Sequence, residues 1–77
     1  MTPQRIKELI EAGLPGARAF VSGDDGVHFE ATVVCEDFTG LSLVKQHQMV
    51  YRCLGELLGG EIHALSLKTL TPAAGSA

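Results

Sequence analysis

The chain reads as an α+β domain, a three-stranded mixed sheet with helices packed on one face. Three observations carry that reading. Residues 27–35 alternate with the period of a half-buried strand: Val27, Phe29, Ala31 and Val33 fall on one side, His28, Glu30 and Thr32 on the other. From Leu43 to Leu58 the apolar residues recur at helical spacing instead. A second apolar segment, Glu61–Leu70, then follows a Gly59-Gly60 stop, so a helical crossover joins two strands, an arrangement that suits a parallel pair.

The elements follow in order. Thr2-Pro3 has the chemistry of a helix start, a hydroxyl at the N-cap and proline at the first helical position. Ile6, Leu9 and Ile10 follow at helical spacing, and Gly13 is the expected stop, before a Leu14-Pro15-Gly16 connector. Residues 17–22 form the first strand. Gly23-Asp24-Asp25-Gly26 is a turn with two glycines free to take positive φ, which makes strands one and two an antiparallel hairpin. Gly40 marks the next loop and Ser42 the next N-cap. The helical stripe comprises Leu43, Val44, Val50, Tyr51, Leu54, Leu57 and Leu58, interrupted by Gly55, so one bent helix or two short ones are both compatible with it. The third strand ends at Thr71-Pro72, and residues 73–77 are a short flexible tail with no anchor. The order α-β-β-α(α)-β is that of the type II KH-like fold, carried by one domain over residues 1–72.

Composition narrows the function. The chain has 77 residues, 45% hydrophobic and 19% charged, which is the balance of one globular domain with an aliphatic core. Six Lys and Arg against nine Asp and Glu leave a net charge of −3, which argues against strong non-specific nucleic-acid binding but not against a local basic patch. There is no secretory pattern, no stretch long enough for a membrane span and no CxxC, so a cytoplasmic protein with reduced thiols is expected. Cys53 is expected to be buried and inert. Glu36 and Asp37 disfavour a thiolate at Cys35. No nucleophile–base pattern emerges and no phosphate-binding loop, so an enzyme is not expected. Gly13–Gly16 and Gly23–Gly26 have the GxxG form, but the first carries proline and the second two acids, and neither suits phosphate.

The histidines are the candidates for chemistry. His63 opens the third strand on the same face as Leu65 and Leu67, where it serves either packing or a ligand role. His28 opens the second strand on its polar side. If the two strands are parallel neighbours, both histidines come to one end of the sheet and form an open half-site. Two imidazoles are too few for zinc or an iron–sulfur cluster, which need four ligands, so a partner's thiols would complete it. Alternation, however, places His28 and His63 on opposite faces, so the Gly-rich turn would have to bring His28 round. His47, on or beside the helical stripe, reads as a packing or capping histidine.

The segment from Phe38-Thr39-Gly40 through Lys45-Gln46-His47 to Val50-Tyr51, followed by Ile62-His63-Ala64 and Thr71-Pro72, resembles the BolA family, and within it the short bacterial IbaG-like branch. The resemblance covers nearly the whole chain. It implies the same fold and a non-enzymatic role: pairing with a monothiol CGFS-type glutaredoxin through a bridging [2Fe-2S] cluster, in iron–sulfur assembly, trafficking or iron regulation. The glutaredoxin cysteine and a glutathione would ligate one side. The family's ligand histidine maps onto His63, and its second His or Cys is best matched by His28. The family also carries a transcription-factor reading, in which the region of Lys45, His47 and Arg52 approaches DNA. The chain departs from the family pattern twice: Gln46 stands where the family has a basic residue, which weakens the DNA reading, and residues 73–77 replace a C-terminal helical extension, which bears on any role of that helix but not on the histidines. The sequence leaves open whether the free chain forms a homodimer.

Overall fold

The structure, a computed structural model, describes residues 1–72; the tail expected at 73–77 lies outside the described residues. Helix α1 (Pro3–Gly13) leads into strands β1 (Arg18–Ser22) and β2 (His28–Val34). A 3₁₀ turn at Glu36–Phe38 precedes helix α2 (Leu43–Leu54), a second 3₁₀ turn covers Gly55–Leu57, and strand β3 (Ala64–Leu70) closes the fold. The sheet order is β1-β2-β3, antiparallel between the first pair and parallel between the second. This is the expected α+β fold, with one difference. The α(α) segment is a single α-helix followed by a 3₁₀ turn. Gly55 adopts φ 56° and ψ −132°, a conformation outside the helical region that glycine tolerates at little cost.

Both helix starts use the caps the sequence suggests. The amide of Arg5 donates to Thr2 Oγ1 at 3.1 Å, and that of Lys45 to Ser42 Oγ at 3.3 Å. Ile6 and Ile10 of α1, Val50 and Leu54 of α2, and Phe29 and Val33 of β2 pack into one core together with Phe38 and Ile62. The opposite face of the sheet is open, and Phe20 on β1 is 60% exposed there. The stripe proposed for α2 is narrower than expected. Val50 and Leu54 are buried, whereas Leu43, Val44 and Tyr51 are exposed. Cys35 is buried, while Cys53 is half-buried, with burial pushing its thiol pKa up and its Sγ donating to the Met49 carbonyl.

Gln46 ties the crossover to the sheet. Its amide nitrogen donates to the carbonyls of Phe38 and Leu41 at 3.3 and 2.9 Å, and its oxygen accepts from the Thr69 hydroxyl at 2.6 Å. Half-buried in these contacts, Gln46 is part of the framework and not of a charged outer face. Replacing Thr69 with valine keeps the side-chain shape and removes the donor; chemical denaturation should register a loss of about 0.5–1.5 kcal/mol.

Candidate metal centre

The parallel register of β2 and β3 pairs His28 with Ala64, one residue beyond His63. In a continued ladder His63 would lie beside Val27 and point away from His28. The backbone does not continue the ladder. The amides of His63 and Ala64 both donate to the Val27 carbonyl, at 3.0 and 3.2 Å, so the chain turns at His63 and the alternation rule ends at Ala64. The strand therefore starts later than Glu61, and His63 does not share the inward face with Leu65 and Leu67. Those leucines pack against the core, whereas His63 is exposed. The expected obstacle, histidines on opposite faces, is removed by the backbone at His63 and not by a twist of the Gly-rich turn.

The turn before His63 is held from below. Ile62 is fully buried, its amide donates to the Leu57 carbonyl at 2.9 Å, and its own carbonyl accepts from Gly59 at 2.9 Å. Gly59, with φ 85°, allows the tight return. Ile62 thus plugs the core immediately before the exposed histidine.

His28 is held from the other side by Asp25. One carboxylate oxygen, Oδ1, accepts from the amides of Val27 and His28 at 2.9 and 2.8 Å. The other, Oδ2, accepts from the His28 ring at Nδ1 at 2.6 Å. The amides of His28 and Val27 and the His28 ring hold the Asp25 carboxyl well below the usual carboxylate range. Both partners remain substantially exposed, so the pair fixes geometry more than it adds stability. Gly23 makes room for this turn. A Cβ there would stand 2.6 Å from the His28 carbonyl oxygen and 2.7 Å from the Phe29 ring, so this glycine is needed for space, while Gly26, with φ 79°, is the one that takes positive φ.

The outcome is a pair of exposed imidazoles with ring centres 5.4 Å apart and planes at 89°. Two imidazoles bound to one tetrahedral metal through nitrogens at about 2.0–2.1 Å have ring centres roughly 5 Å apart. The spacing is close to that of two imidazoles meeting at one metal ion. Among the described residues no group of three or more His, Cys, Asp and Glu could hold a metal ion. His28 also borders an open depression of about 360 Å³ alongside Gly23, Glu30 and Ser66.

The other candidates lie elsewhere. Lys45 and Arg52, seven residues apart on α2, differ by about 20° around the helix and share its exposed outer side. His47 lies roughly 140–160° from them, half-buried, with its ring 6.1 Å from that of Tyr51. The three do not form one patch. Sequence reasoning did not single out Asp25 or Ile62 as supports of the site. An aspartate three residues before a histidine in a Gly-flanked turn was the available signal for the first. An apolar residue directly after a Gly-Gly-Glu turn was the signal for the second.

Comparison with known proteins agrees with this architecture. The family model described as BolA-like protein matches residues 12–74. The chain is 40% identical over 74 residues to the acid stress protein IbaG of Escherichia coli K12, an alignment covering 95% of this chain and 87% of that one. It is 41% identical over 58 residues to human BolA-like protein 1, covering 75% of this chain. The chain spans 42% of that human relative and 31% of the chloroplastic BOLA1 of Arabidopsis thaliana. The structure of a bolA protein homologue from Coxiella burnetii superposes with a TM-score of 0.89 at 44% identity, covering 100% of this chain and 99% of the other. No helix among the described residues is long and apolar enough to cross a membrane. With its α-β-β-α-β order, its mixed sheet and the family match over residues 12–74, the chain belongs to the BolA family.

Proposed function

We propose that the chain is a non-enzymatic partner of a monothiol CGFS-type glutaredoxin and contributes His63 and His28 to a [2Fe-2S] cluster shared between the two proteins. The observation that carries this reading is the pair of exposed imidazoles 5.4 Å apart at one sheet edge. The family supports it, and so does the ligand count. Two histidines from this chain, with a cysteine and a glutathione from the partner's side, complete four. The cluster supplies the irons and the electron-accepting centre, and neutral imidazole in place of thiolate lowers the negative charge around it and raises its potential. The chain's own part is to hold two nitrogens at an edge without burying them, so that a partner surface closes over the site. Cluster assembly, trafficking or iron regulation would each use that capacity.

The test is to combine the chain with a CGFS glutaredoxin, glutathione and a reconstituted cluster, and to record visible circular dichroism. The mixed complex should give a spectrum distinct from the glutaredoxin's own, and His63→Ala should return it to that of the glutaredoxin alone. An unchanged spectrum with His63→Ala contradicts the ligand role.

A nucleic-acid-binding regulator is the rival reading, favoured by Lys45 and Arg52 on one face of α2. Two cations on a chain of net charge −3 neutralise few phosphates, with a salt slope of only about −2. Absence of a mobility shift with promoter-length DNA at low salt would remove it.

A further inference from the structure

We propose that Asp25 is a positioning residue that holds His28 in its Nδ1–H tautomer and thereby reserves Nε2 as the ligating nitrogen. The inference rests on the shared-cluster reading, but its first test does not require a cluster. The geometry is specific. Asp25 receives three donors: the amides of Val27 and His28 on Oδ1, and the His28 ring on Oδ2. An ionised carboxylate only accepts, so the 2.6 Å contact requires the proton to reside on His28 Nδ1. A neutral imidazole has one N–H, and Nε2 is then left with its lone pair. A histidine side chain free in water favours the opposite arrangement, with the proton on Nε2. Asp25 reverses that preference at the ring atom farthest from the backbone. The two amides also prevent the carboxylate from rotating away, so the ring is oriented by the turn itself.

Carboxylate–histidine–metal arrangements of this kind fix ring orientation and raise ligand basicity, and losing the outer partner typically lowers metal affinity about 10–100-fold. His63 differs. Its backbone amide is tied to Val27, but no hydrogen bond of its ring is found among the described residues. His28 is thus the member of the pair whose ring is oriented by its own turn, while the His63 ring lies edge-on to it.

Asp25→Asn separates the turn from the tautomer. The asparagine oxygen can keep both backbone amides, while its NH₂ group faces His28 Nδ1. That contact needs a lone pair on Nδ1 and so puts the proton on Nε2. Asp25→Ala removes both functions. Long-range ¹H–¹⁵N correlation spectra of the free protein, recorded along a pH series up to the point where the ring resonances no longer move, should show His28 as Nδ1–H in the wild type and as Nε2–H in Asp25→Asn. Visible circular dichroism and cluster half-life in the glutaredoxin complex should then place Asp25→Asn with His28→Ala, about 10–100-fold more labile than the wild type.

A wild-type His28 protonated on Nε2 overturns the proposal. So does an Asp25→Asn complex as stable as the wild type when His28→Ala is labile. If neither His28→Ala nor His63→Ala alters the spectrum, the shared-cluster reading itself fails, and the ligand role of Nε2 falls with it.

Discussion

Ile62→Ala is expected to cost about 2–5 kcal/mol, the range for removing a large buried aliphatic side chain. A single core in a chain this small supplies roughly 3–5 kcal/mol net, so the variant should be largely unfolded or close to it at room temperature. The reason lies in the position. Ile62 has no exposed surface, and its backbone closes a turn on Leu57 and Gly59. The side chain thus anchors the only covalent connection between the 3₁₀ turn and β3. Ile62→Val should lose about 0.5–1.5 kcal/mol and keep the site. Urea denaturation of both variants checks this. A loss below 1 kcal/mol for Ile62→Ala would mean that the turn does not depend on the core for its position, and that His63 is held by something else.

Gly23→Ala is expected to be the next most damaging change, at about 1–3 kcal/mol, because the clash has no rotamer escape. The added methyl would meet the His28 carbonyl at 2.6 Å and the Phe29 ring at 2.7 Å. Phe29 is a core residue and His28 a proposed ligand, so one substitution loosens the core and moves the site together. Alanine ordinarily stabilises a flexible turn by reducing the entropy of the unfolded chain, so the sign of the effect is informative. Denaturation should show destabilisation, and the ¹H–¹⁵N spectra should show the His28 ring resonances displaced. A neutral or stabilised Gly23→Ala would mean that the 23–27 turn can open without disturbing His28.

The fold was legible because its periodic segments face only one core. Phe29, Ala31 and Val33 alternate in the sequence and all three are buried. The crossover from β2 to β3 dictated the parallel pair. The width of the α2 stripe was harder to read. Leu43 and Val44 have helical spacing yet are 65% and 66% exposed, because only a narrow arc around Val50 and Leu54 meets the sheet. The candidate site was legible as two residues and a shared end of the sheet, but not as a geometry. Alternation is a property of ladders, and His63 lies one residue outside the ladder, where shared acceptance by the Val27 carbonyl decides its direction. Asp25 was equally hidden. Composition marks residues 23–26 as a turn, but not which of two neighbouring aspartates reaches the ring.

Pulsed electron paramagnetic resonance on the reduced complex reads whether both imidazoles bind one iron of the shared cluster. The chain would be labelled with ¹⁵N-histidine and the glutaredoxin left unlabelled. Two strongly coupled histidine nitrogens are expected in the wild type, with one lost in His28→Ala and one in His63→Ala. A reduced cluster in the complex with fewer than two histidine nitrogens coupled to it would mean that the two imidazoles do not share an iron.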